Sequence, residues 1–180
     1  MKLKTSRMET LTDGIFAIVM TVMLVGLTEV FTFKDGASSV DFFRLYANLA
    51  DDFLVYAASF LILGALWFEH HWQFHFIKST DLVMSLIHIV WFMFLCLIPF
   101  TSMLVGNYPT MFATLFVCEL NILITFFLLY IHWIYATHNK HIMDPDMDKK
   151  LIARHRNIGS IVIAVTLSVI LATYLWHISK

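Results

Sequence analysis

The sequence predicts an all-α integral membrane protein, and three observations carry that prediction. The 180 residues are 59% hydrophobic and 14% charged, too few charges to coat a soluble domain of this length. Five runs, at 10–31, 53–77, 82–105, 109–137 and 157–178, reach the roughly 20 apolar residues that a helix needs to cross hydrocarbon. None alternates apolar with polar positions as barrel strands do, and a helix satisfies its own backbone in lipid. The net charge of −1 gives no basic field for nucleic acid. Cys96 and Cys118 fall inside apolar runs and read as reduced core thiols. The first run is too long for a signal peptide and has no small-residue cleavage site.

Helix one opens "RMETLTDGIFAIVMTVMLV", with Arg7, Glu9 and Asp13 ahead of an apolar run broken only by Thr21. Asp13 suits a helix N-terminus, where the macrodipole favours an acid. It also suits a buried pair with Arg7, although six residues do not place the two on one vertical face. At helical spacing Ile18 shares a face with Thr21 or Val22, Val25 and Glu29, with Gly14 one turn before. By pattern alone these are lipid-facing aliphatics. Around an axis they would instead make an apolar constriction, a hydroxyl ring and an outer acidic ring.

After an external loop, "FKDGASS" at 33–39, helix two closes with "WFEHHWQFHF". His71 and His75 lie four apart, a spacing two metal ligands can use, but zinc needs a third or fourth. Aromatics and histidines at headgroup depth are the commoner explanation. In helix three, His88 needs a hydrogen-bond partner inside the membrane, and Asp13 or His71 lies at similar depth. "GNYPT" at 106–110 reads as a tight turn, with Pro109 suited to a helix start. Glu119 sits inside helix four, about ten residues into the span, where an acid either glues helices or serves a proton or cation. The loop "THNKHIMDPDMDKK" at 137–150 is the most polar segment, and Pro145 breaks any helix there. Asp144, Asp146 and Asp148 lack the glycine and final glutamate of a calcium loop, so a solvated acidic loop is expected. Helix five completes a single transmembrane domain over 1–180.

Nine of the 12 Lys and Arg (Lys2, Lys4, Arg7, Lys78, Lys140, Lys149, Lys150, Arg154, Arg156) fall on one side of this arrangement. Only Lys34, Arg44 and Lys180 fall on the other. The N-terminus is therefore expected in the cytoplasm and the C-terminus outside. HExxH, GxSxG, Walker and CxxC motifs are absent, so no enzyme activity, cofactor or metal site is expected, and the "TVGYG" potassium filter is absent too.

"RMETLTDG" resembles the signature that opens helix one in prokaryotic relatives of the endolysosomal potassium channel, the transmembrane protein 175 family. The following "IFAIVMTVMLV", "WFEHH" at the end of helix two and "LIPFTSMLVGNYP" at the end of helix three are similar to the same family. The resemblance spans at least residues 7–109. It implies a homotetramer in the cell membrane, with helix one lining a central pore and no reentrant filter loop. Potassium would pass in preference to sodium.

Carried over by position, Ile18 is the constriction, with Thr21, Val22 and Val25 along the same wall and Glu29 at the outer mouth. The signature network would be Arg7, Leu11, Thr12 and Asp13, tied to Trp67, His71 and His88. Leu11 and Thr12 replace the usual Phe and Ser. His88 stands at an Asn position, and Val25 where a longer Leu is common. The family has six spans per repeat, against five here. A leak-like potassium channel is the expected function. The alternative is a proton-coupled secondary transporter that uses Asp13, Glu119 and His88.

Overall fold

The computed structural model describes residues 5–28, 39–139 and 142–179, with side chains described for all of these except 27, 28 and 39–52. Among the described residues five helices follow in order: α1 Thr5–Thr28, α2 Ser39–Phe76, α3 Leu82–Asn107, α4 Phe112–His138 and α5 Lys149–Ile178. Each is long and apolar enough to cross a membrane.

The apolar runs locate the helices but not their ends, because hydropathy sees only the part that sits in hydrocarbon. α2 begins at Ser39 rather than 53, its first turns carrying Asp41, Arg44, Asp51 and Asp52. α5 begins at Lys149 rather than 157, where Asp148 caps it by accepting from Lys150 N at 2.9 Å. α4 begins at Phe112, so Pro109 lies in the turn before the helix and not at its start. Glu119 is consequently seven residues into α4, about 10 Å, shallower than the apolar run implied. α3 runs through Pro99 without ending. A proline inside a helix removes one backbone bond, which neighbouring helices can tolerate in a membrane.

α1, α2 and α3 pack on one another, α4 packs on α3, and α5 packs on α4 at the rim. α1 contributes Phe16, Val19 and Met23 to a buried cluster with Leu63, Leu66, Trp91, Leu95, Ile98 and Leu129. α5 buries no residue. Lipid tails are as apolar as these side chains, so close packing and interhelical hydrogen bonds hold the bundle. Several such bonds are present. Ser102 donates to Ser59 at 2.8 Å, Tyr135 donates to the α3 cap Asp81 at 2.7 Å, and Thr173 donates to Glu119 at 2.8 Å.

The 137–150 loop is more than a solvated connector. Ile77 and Met143 form an antiparallel bridge, with Lys78 N donating to Ile142 O at 2.8 Å and Asp144 N to Phe76 O at 2.9 Å. Lys78 and Asp144 pair outside it at 3.1 Å. Ile142 and Met143 are buried against Phe74, Met84 and Trp133. Two apolar residues inside a polar stretch are the physical reason that this loop docks.

Candidate functional site

α1 divides into two stripes. Thr12, Phe16, Val19 and Met23, spaced four, three and four apart, are all buried. The opposite stripe carries Leu11, Gly14, Ile18, Thr21, Val22 and Val25, and all of it is exposed in the protomer. Ile18 is 64% exposed, the most of any large apolar residue among the described side chains of α1. Thr21 turns its hydroxyl back to Ala17 O at 2.7 Å, so its wall position presents a methyl group as well. Glu29, the expected outer mouth, lies outside the described residues.

At the base of α1 the signature residues separate into two contacts. Thr12 is fully buried and lies 3.0 Å from His88 Nε2. Asp13 is exposed and accepts from the indole N–H of Trp67 at 2.9 Å. Trp67 stacks on His71 with ring centroids 5.5 Å apart. Arg7 and Leu11 are exposed, and among the described residues no ion pair joins Arg7 to Asp13. Asp13 is thus held by an indole, not by a guanidinium.

The histidines inside the protein are partly other ones than the sequence singled out. His71 and His75 face outward, whereas His70, Gln73 and, on α4, His132 are buried. The buried stripe of α2 reads Leu63, Leu66, His70 and Gln73, and Ile77, just past the helix end, keeps the same spacing. Extending the heptad from its apolar part through "WFEHHWQFHF" selects His70 over His71. His132 continues the same kind of stripe on α4, after Cys118, Asn121, Thr125 and Leu129.

A second polar group missed by the sequence lies between α2, α4 and α5. There His155 is hydrogen-bonded to Glu69, and Gln73 Nε2 donates to the same carboxylate at 2.8 Å. His155 stacks on Trp72 at 4.0 Å. Glu69, Gln73 and His155 border a cavity of about 170 Å³ that also touches Tyr130, Trp133 and Gly159. Among the described residues no group of three or more His, Cys, Asp or Glu is placed to hold a metal ion.

The three residues of the transporter alternative do not meet. Asp13 is bonded to Trp67, His88 contacts Thr12, and Glu119 is bonded to Thr173 on α5. Glu119 lies thirteen residues along α4 from His132, about 20 Å.

The family profile described as endosomal/lysosomal potassium channel TMEM175 matches residues 7–99, from the start of α1 to Pro99 of α3. The chain belongs to the TMEM175 family. A potassium channel from Streptomyces collinus is 22% identical over 105 residues, which are 58% of this chain and 49% of that protein. The human endosomal/lysosomal proton channel TMEM175 is 26% identical over 148 residues, 81% of this chain and 28% of its own length. The matches thus span about half or less of these curated relatives. The crystal structure of a lysosomal potassium-selective channel TMEM175 homologue from Chamaesiphon minutus superposes with a TM-score of 0.69 at 19% identity, over 94% of this chain and 90% of that one. This last likeness is one of fold, and it extends the TMEM175 architecture from the three profile-matched helices across the bundle.

Proposed function

We propose that this TMEM175 chain is a potassium-selective, leak-like cation channel built as a homotetramer around α1. The observation that carries the reading is the exposed, mostly apolar stripe of α1, whose opposite stripe is committed to packing within the bundle. A stripe of Leu11, Gly14, Ile18, Thr21, Val22 and Val25 repeated around an axis makes a neck without oxygen ligands. Such a neck acts through width and dewetting. Potassium sheds water at lower cost than sodium, so the neck favours potassium. Ile18 is the narrowest ring, Thr21, Val22 and Val25 continue the wall, and Glu29 concentrates cations at the outer mouth.

On this reading Thr12–His88 and Asp13–Trp67 fix the depth and rotation of α1, and Arg7, Leu11 and His71 surround that anchor. The chain works as one transmembrane domain in the cell membrane, without enzyme activity or cofactor, with its N-terminus in the cytoplasm and its C-terminus outside. The transporter alternative is less well supported, since no hydrogen bond joins any two of Asp13, His88 and Glu119.

Potassium and sodium flux into proteoliposomes containing the purified protein tests the proposal. Potassium flux should exceed sodium flux without saturating as a carrier does. Ile18→Asn should hold water in the neck, raise the flux and erode the preference, while Ile18→Met should preserve both. Unchanged flux and selectivity in Ile18→Asn would put the pore on another face.

A further inference from the structure

Beneath α1 lies a cluster that the pore reading does not use. His70 on α2, His88 on α3 and His132 on α4 are 3%, 1% and 1% exposed. Their ring centroids are 5.0 Å apart for His70 and His88, 5.1 Å for His88 and His132, and 6.3 Å for His70 and His132.

Two of the three tautomers are dictated by neighbours. The Thr12 hydroxyl donates its single hydrogen to Met8 O at 2.8 Å. It can only accept from His88 Nε2, so that nitrogen carries the ring hydrogen. The Gln73 amide nitrogen faces two groups that can only accept, Glu69 Oε1 at 2.8 Å and Leu129 O at 3.4 Å. Its oxygen is therefore the atom 3.3 Å from His132 Nδ1, and Nδ1 must donate. A neutral imidazole has one N–H and one lone pair. His88 Nδ1 and His132 Nε2 are thus both bare acceptors, both fully buried and both without a protein partner.

Two acceptors cannot satisfy each other, and leaving both unpaired in a buried site is costly. The ligand that resolves the conflict is small, neutral and able to donate twice. We infer that a single water molecule binds between the rings, donating to His88 Nδ1 and His132 Nε2. Buried waters commonly hold two to four such polar partners. His70 Nε2 and the Trp91 indole N–H are also buried without a protein partner, and their rings stack at 5.3 Å.

This water joins two hydrogen-bonded chains. One runs from His155 through Glu69 and Gln73 to His132 beside the lateral cavity; the other runs from His88 to Thr12 on α1. The remaining titratable groups nearby are engaged elsewhere: Asp13 with Trp67, His71 stacked on that indole, and Tyr135 with Asp81. Glu69 and Gln73 are then positioning residues: they set the tautomer of His132 and so the orientation of the water. The inference does not depend on the pore reading.

Solid-state NMR of the full chain in bilayers, with ¹⁵N-labelled histidine, tests it directly. At neutral pH His88 should be the Nε2–H tautomer and His132 the Nδ1–H tautomer, with polarisation transferred from water protons to His88 Nδ1 and His132 Nε2. The opposite tautomer at either ring, a doubly protonated ring, or one bound metal ion per chain by elemental analysis would overturn the assignment. Gln73→Leu should turn the single His132 tautomer into a mixture and leave His88 as Nε2–H. His132→Phe should abolish the water contact at His88 Nδ1, and persistence of that contact in a folded variant also counts against the site. If neither variant folds, the wild-type spectrum decides alone.

Discussion

Asp13 is the acid that a membrane-length helix has no obvious use for, and its partner explains it. A carboxylate accepting from the Trp67 indole at 2.9 Å ties the first turns of α1 to the end of α2. A hydrogen bond to a charged group contributes about 1.5–3 kcal/mol when shielded. Asp13 is exposed in the protomer, so about 1 kcal/mol is the better expectation after solvent screening. Asp13→Ala should lower the melting temperature in detergent modestly, and Asp13→Asn, which keeps an acceptor oxygen, should lower it less. A variant that melts normally but conducts with altered selectivity would place Asp13 in the permeation path. The pairing with Trp67 was legible only through the family signature. Nothing in local spacing says that residues 54 apart meet. The rings beneath were legible in principle: the heptad through Leu63 and Leu66 points at His70, but adjacent histidines and a metal-like spacing draw attention to His71 and His75 instead. Polar residues on a buried stripe are harder to read than apolar ones, because the same residue types also fill the headgroup region.

At the level of elements, the helices were legible and their polar ends were not. Hydropathy cannot distinguish a charged helical turn from a loop, which is why the start of α2 and the first two turns of α5 escaped it. The contact between α4 and α5 is a case that no pattern gives. A Cβ at Gly159 would sit 2.6 Å from Tyr130 Cδ2, so the two helices meet through a missing side chain. Gly159→Ala gains about 1 kcal/mol of helix propensity but overpacks the joint, at a cost of about 1–3 kcal/mol. The expected net result is loss, seen as faster hydrogen exchange in α5 and a lower melting temperature. Gly64, with nothing within 4 Å of the added atom, is the control, and Gly64→Ala should be neutral or stabilising.

The docked loop between α4 and α5 responds to acid in a defined direction. The Asp146 backbone N–H, and then Lys78, hold the Asp144 carboxyl below its ordinary value of 3.8. A depressed folded pKa contributes stability above the unfolded value, and that stability is lost as pH falls through the folded one. Exchange protection at the Lys78 and Asp144 amides should therefore hold from neutral pH down to about 4 and fade below it. Protection that changes between pH 7 and 5 would mean that another group controls the loop.

For the whole molecule, the proposed assembly has two independent readouts. Native mass measurement should give four chains, and a monomer or dimer would remove the axis that the α1 stripe needs. A protease added outside intact cells should reach a C-terminal tag and spare an N-terminal one, as the Lys and Arg bias requires. The bundle as a whole was legible because five long apolar runs leave little choice of architecture. The oligomer was not, because a face awaiting identical partners and a face awaiting lipid have the same composition. α5 adds one more property. It buries nothing, yet it is fastened at two heights, by His155 to Glu69 and by Thr173 to Glu119. The eighteen helical steps from His155 to Thr173 span about 27 Å, close to the roughly 30 Å thickness of a hydrocarbon core. Both fastenings are polar, so each resists being drawn into the acyl chains. The outermost helix is in effect a ruler: a bilayer much thicker than its interval submerges one fastening or the other, and the protein should sort towards, and work best in, membranes cut to that length.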